Sequence, residues 1–297
     1  MPGHSLLSLF LLVVWLIALP GCRPASAAGG GDAQTGKLTI ENKGSDTMVN
    51  LALAWAERYM AEHPEVRISV TGGGSGTGIA ALINGTVDIA NASRAIKPEE
   101  IAEAQANGIT PVEHVVARDA IAVIVHPSNP VSQLTIQQIS DIYSGKITNW
   151  KEVGGEDRPI VLLSRETNSG THVFFLEEVL RQGRKDDKTL FSPDTLLLPS
   201  SEGIIAEVRD NPNAIGYDGL GYVTPEVKTI AVARGPEGPY VLPSAKTVHS
   251  GQYPIARELY MYTRGEPRGE IKAYLDWILG EEAQAIVREL GFVPLRA

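Results

Sequence analysis

Short apolar runs alternate along the chain with segments whose apolar residues recur every three or four positions, a pattern that predicts an α/β protein with mainly parallel sheets. In KLTIENKGSDTMVNLALAWAERYM a strand leads into a turn at Gly44 to Asp46, and Met48, Leu51, Trp55 and Tyr59 then mark the apolar stripe of a helix. VRISVTGGGSGTGIAALINGTVDIANASR repeats the device, with a strand to Val70, a glycine turn, a helix carrying Ile79, Leu82 and Ile83, and Gly85 as its C-cap. The next strand, Val87 to Ala90, runs into the small polar turn Asn91 to Ser93, followed by Arg94. In PIVLLSRETNSGTHVFFLEEVL a strand is followed by Arg165, the turn Asn168 to Gly170, and a helix starting near Thr171.

These four turns share a physical property. A helix N-terminus leaves backbone N–H groups unpaired and carries partial positive charge, so it attracts an anion. Ser and Thr there either cap the helix or turn their hydroxyls toward a ligand. Open α/β sheets place ligands at the C-terminal ends of strands, so four such turns favour one shared anion site over four independent caps.

The uncharged run Leu6 to Leu19, followed by Pro20, Gly21 and Cys22, is too short to span a bilayer comfortably and reads as an export signal over residues 1–21. Cys22 is the only cysteine, which excludes an internal disulfide. Its position resembles a lipobox, implying cleavage before Cys22, lipidation of its sulfur and attachment to a membrane. Residues 22–36, rich in Ala, Gly and Ser, read as a flexible tether. The segment from Lys37 to Ala297 is long enough for two lobes. A net charge of -9 argues against a nucleic-acid partner, but a recessed anion site is governed by local donors.

Spacing excludes larger ligands and several chemistries. A P-loop needs Lys and Ser or Thr after its last glycine, whereas Gly78 is followed by Ile79 and Ala80. Gly72 to Gly78 contains no G-x-G-x-x-G, so no dinucleotide cofactor is expected. Ser75 and Ser169 both fail the G-x-S-x-G pattern, and the six histidines show no H-x-x-x-H pairing. No metal centre is expected, and a binding protein is favoured over the alternative of a phosphate-ester hydrolase using Ser75 or Ser169, which lacks a base.

GSDTM, GGGSGTGI, DIANASR, VIVHPSNPV, ITNW, SRETNSGTHVFF, NAIGYDGLGYV and YPIARELYMYT, in this order, resemble the periplasmic phosphate-binding proteins of ABC importers, the PstS family. The resemblance implies a monomeric, two-lobed type II binding-protein fold that closes on inorganic phosphate by a hinge motion and hands it to a membrane permease. Lobe I would comprise residues 37–117 plus 252–297 and lobe II residues 118–251, with crossings near Arg118 and Tyr253. Carried over by position, phosphate contacts would come from Ser45, Asp46, Thr47, Gly74, Ser75, Gly76, Ser93, Arg94, Arg165, Ser169, Gly170 and Thr171. Arg165 stands out, because a guanidinium can hold two phosphate oxygens at once.

Arg94 departs from the family's best-studied branch, which has an Asp there to accept the proton of monohydrogen phosphate and so reject sulfate. Two arginines would favour a fully charged oxyanion such as sulfate, arsenate or molybdate, and a proton-based choice would need another acceptor. Asp46 is that acceptor or, alternatively, the cap of its own helix.

Overall fold

The computed structural model describes residues 38–296. The signal, the tether and Cys22 therefore lie outside the described residues.

Strands β1 (Leu38–Gly44), β2 (Val66–Thr71) and β3 (Ile89–Ala92) form a parallel group in the order β2-β1-β3. Strand β4 (Val112–Val125) is the longest, followed by β5 (Gln133–Thr135), β6 (Val161–Arg165), β7 (Leu196–Leu198) and β8 (Ala214–Gly219). Strands β9 (Lys228–Thr229), β10 (Ala231–Ala233) and β11 (Ala256–Thr263) complete the set among the described residues. The main sheet runs β2-β1-β3-β11-β4-β8-β6-β7, with β9 beside β4 and a separate β10-β5 pair. The predicted parallel groups are present at both ends, but β11 and β4 run antiparallel in the middle. The mixed centre escaped the sequence pattern because alternation alone carries no strand direction.

Strand β4 has two partners in succession. Val112 to Ala120 pair with β11, and Ile121 to Val125 pair with β8. The change of partner falls just beyond Arg118.

The first helix, α1 (Val49–Glu62), buries Leu51, Trp55 and Tyr59 as its stripe predicts. The indole N–H of Trp55 donates to the Ala283 carbonyl at 2.9 Å, fastening α1 to the C-terminal part of the chain. Helix α2 (Ser75–Ile83) buries Ile79, Leu82 and Ile83, and it ends as expected at Gly85, whose φ of 69° lets its N–H reach the Leu82 carbonyl. Helix α3 (Pro98–Ala106) follows the third turn and α4 (Ile136–Tyr143) packs in the second half. Helix α5 (Gly170–Phe175) starts one residue before the expected Thr171 and widens into a π-turn at Leu176–Leu180. Helix α6 (Ser201–Asp210) lies beside β8.

The third strand differs from its expected range, Val87 to Ala90. Pairing with β1 starts at Ile89, and the ladder with β11 carries it to Ala92. The polar residues Asn91 and Ser93 are thus drawn into buried positions at the sheet's end rather than left in an exposed turn.

Candidate functional site

The four turns meet. At the first, the Ser45 N–H donates to the Asn91 carbonyl at 2.9 Å, seating this turn on the third. Ser45 makes no cap bond with its side chain; its hydroxyl donates instead to Ser93 Oγ at 2.9 Å. The Ser75 hydroxyl, at the start of α2, accepts from the Ser93 N–H at 3.0 Å and lies 3.2 Å from Ser93 Oγ. Across the gap to α5, Thr47 Oγ1 is 2.8 Å from Thr171 Oγ1. Ser169 does act as a cap, accepting from the Thr171 N–H at 3.2 Å.

Two glycines permit this closeness. Gly74 has φ 91°, and the Gly76 N–H donates to the Asn168 carbonyl at 3.0 Å, so the glycine loop and the fourth turn touch through backbone. A Cβ on Gly170 would lie 2.3 Å from Ser75 Oγ and 2.7 Å from Ser93 Oγ. Ser45, Thr47, Ser75, Ser93, Ser169 and Thr171 are all buried, so a small ion can reach them only if the walls part.

Arg165, at the end of β6, is 1% exposed and uses all five of its N–H donors. Nε donates to the Leu198 carbonyl at 3.3 Å, Nη1 to Ser201 Oγ at 2.8 Å and Asp218 Oδ2 at 3.4 Å, and Nη2 to the Pro199 carbonyl at 2.8 Å and Asp46 Oδ2 at 3.0 Å. Four of these acceptors belong to the neighbouring β7, α6 and β8 region. Asp46 alone comes from the first turn, and of the two acids it is the one that keeps some exposure, 21% against none for Asp218.

Asp46 does not cap its helix. Its Oδ1 accepts from the Gly73 N–H at 2.8 Å while Oδ2 accepts from Arg165, so one carboxylate ties the first turn, the glycine loop and β6 together. This disposes of the capping alternative, because both oxygens face other segments.

Arg94 sits beside the glycine loop, with Nη2 3.9 Å from where a Gly76 Cβ would be, but its charge is engaged elsewhere. Nη1 and Nη2 form a two-pronged pair with Glu100 at 2.8 and 2.6 Å, next to the start of α3. Burial pushes the Glu100 carboxyl up, but Arg94 and the Lys97 N–H outweigh it and hold it below its ordinary value. Of the two arginines expected at the site, Arg94 thus has its charge matched by a carboxylate.

Several participants carried no signal in the sequence. Asp218 and Ser201 grip Arg165, with Ser201 Oγ donating to Asp218 Oδ1 at 3.0 Å. Arg257, on β11, pairs with Asp119, on β4, through Nη2 at 2.8 Å. Burial pushes both Asp119 and Asp218 above the usual carboxylate range, while Arg257 and Arg165 respectively pull them back. Isolated Asp and Arg residues in strands have no spacing rule that would pair them; only the register of the folded sheet does.

An open cavity of about 760 Å³ adjoins Arg94 and Arg257 and is lined also by Lys97, Phe174, Arg181 and Tyr260. The turn hydroxyls do not line it.

A family model described as the PBP superfamily domain matches residues 27–282. The phosphate-binding protein PstS of Pseudomonas aeruginosa is 33% identical over 94% of this chain and 88% of its own length. PstS of Bacillus subtilis is 33% identical over 99% of this chain and 95% of its own. Among solved structures, a phosphate ABC transporter substrate-binding protein with bound phosphate from Clostridium perfringens superposes with a TM-score of 0.77 at 34% identity, covering 87% of this chain and all of that one. An ABC-type phosphate transport receptor from Vibrio cholerae gives a TM-score of 0.69 at 30% identity over 86% of this chain and 99% of its own.

Proposed function

Since the chain belongs to the PstS phosphate-binding proteins of the PBP superfamily, we propose that it captures inorganic phosphate outside the cytoplasm and delivers it to the permease of an ABC importer. It acts as a binding protein, not an enzyme. The observation that carries this reading is the convergence of buried hydroxyls from four strand ends upon one another, with Arg165 held beside them. Such a cluster offers many short-range donors and a guanidinium to an ion of four oxygens once the walls part.

Phosphate enters when the two walls part. The hinge lies where β4 changes partner, so lobe I takes residues 37–117 plus 252–297 and lobe II residues 118–251, and closure brings the fourth turn onto the other three. The ligand takes up hydrogen bonds from Ser45, Thr47, Ser75, Ser93, Ser169 and Thr171 and from the amides of Gly74, Gly76 and Gly170. Arg94, paired with Glu100, contributes a matched charge at the rim. Arg165 has no spare donor, so a phosphate oxygen replaces Asp46 at Nη2. Asp46 then accepts the ligand's proton, which sulfate lacks at neutral pH. The mature chain is a monomer tethered through lipid on Cys22, at the periplasmic or outer face of a membrane; among the described residues no helix is long and apolar enough to cross one.

Calorimetric titration of the purified mature chain tests the reading: one phosphate bound per chain is expected, and no heat with phosphate would overturn it. The role of Asp46 has a separate test. Asp46→Asn is expected to weaken phosphate binding about tenfold or more while strengthening sulfate relative to phosphate, as removal of one charged acceptor implies. Ser164→Ala, whose hydroxyl faces His172 and Tyr217, serves as the control. Equal effects of Asp46→Asn on phosphate and sulfate would remove the carboxylate from selectivity.

A further inference from the structure

Arg257, outside the four turns, reaches Asp119, the Ser93 carbonyl and the Thr47 hydroxyl. It lies directly opposite Asp119 in the β4–β11 register, and both side chains are buried. Nε and Nη2 donate to Asp119 Oδ2 at 3.2 and 2.8 Å, Nη1 donates to the Ser93 carbonyl at 2.9 Å, and Nη2 approaches Thr47 Oγ1 at 3.5 Å. The Phe174 ring of α5 lies 5.6 Å from the guanidinium carbon. Asp119 in turn accepts from the Leu220 N–H at 3.1 Å through its other oxygen, at the end of β8.

The pair thus stands at the step where β4 leaves β11 for β8, with one arm on the third turn, one near the first, and an anchor on the far side of the step. A buried ion pair is a poor source of net stability compared with apolar residues of the same volume. Its geometry has a more specific consequence. With its carbonyl held by Arg257, Ser93 presents its N–H and hydroxyl to Ser75 and Ser45.

We propose that Arg257 is a positioning residue of the anion site, setting the Ser93 turn and the Thr47 hydroxyl against Ser75 and Thr171, and that its pairing with Asp119 links this placement to the hinge. The proposal rests on the phosphate-capture reading, and the two fail separately. Removing Arg257 alone would strand a buried carboxylate, so the variant of choice is the double replacement Arg257→Gln with Asp119→Asn, which removes both charges. It is expected to fold and to bind one phosphate per chain, with dissociation at least tenfold faster in stopped-flow and association little changed. A purely structural role would lower the fraction of active molecules and leave the dissociation rate of the remainder as in the wild type.

Arg257→Lys, which keeps the charge beside Asp119 but cannot also hold the Ser93 carbonyl, is the second variant and is expected to shift dissociation in the same direction. Wild-type dissociation rates in folded double-variant or Lys-variant protein would overturn the positioning role. A wild-type chain that binds no phosphate would overturn the capture reading itself.

Discussion

Arg165→Met is expected to abolish measurable phosphate binding, with affinity lower by at least about a hundredfold. The guanidinium is buried, and every one of its donors is engaged. Removing one partner of a buried, hydrogen-bonded charge pair between protein and ligand costs roughly 2–5 kcal/mol of binding, and each 1.4 kcal/mol is about a factor of ten in affinity. The same change leaves Asp218, already pushed up by burial, without its main cation, so that carboxyl moves further toward its neutral form and the free protein melts at a lower temperature. Adding Asp218→Asn should restore much of the melting temperature and none of the phosphate affinity. Arg165→Lys keeps the charge but supplies three donors to a cage of five acceptors, and it should sit near Met, not near wild type. A calorimetric Kd within threefold of wild type in either variant would exclude Arg165 from the site.

Gly170→Ala should be nearly as damaging to binding while sparing the free protein. The added methyl would meet Ser75 Oγ at 2.3 Å and Ser75 Cβ at 2.9 Å, neither of which has room to retreat, since the Ser93 N–H holds that hydroxyl. The start of α5 would have to back away from α2, which breaks the Thr47–Thr171 contact and opens the cluster. Overpacking of this kind costs typically about 1–3 kcal/mol, or about fivefold to somewhat over a hundredfold in affinity. In the open form proposed above the turns stand apart and the clash is relieved. Melting curves without phosphate should therefore match wild type, while the upward shift that saturating phosphate gives the wild type should shrink by several degrees. A phosphate-free melting temperature that falls as far as the affinity would show that the contact belongs to the resting fold instead.

The contrast between Arg165 and Arg257 shows what was legible in the chain. Arg165 stands in a local pattern, a strand end followed by a small polar turn, and strand ends of this kind converge in an α/β sheet whatever the rest of the chain does. Helix faces were legible for the same reason: Leu51, Trp55 and Tyr59 repeat at the helical period and are buried together. Arg257 and Asp119 are separated by more than a hundred residues and meet only because β11 inserts beside β4 in antiparallel register. No local rule encodes that insertion. Asp46 was legible as a residue of the first turn but not in its role, because its partners Gly73 and Arg165 come from two other segments. Arg94 was legible as a residue of the third turn, whereas its partner Glu100, six residues on in the first turn of α3, was not.

The insertion of β11 between β3 and β4 also dictates the order in which the chain can mature. As the polypeptide emerges from its N-terminus, β1, β2 and β3 can assemble, but β3, which ends at Ala92, keeps an unpaired edge until Ala256–Thr263 arrive. Closing so long a loop slows folding, and an open apolar edge invites pairing with another chain in the meantime. A chain cut off before Ala256 should therefore be recovered as aggregate and not as a smaller soluble domain. Burial of the inner edges of β3 and β4 thus waits for the C-terminal segment that carries β11.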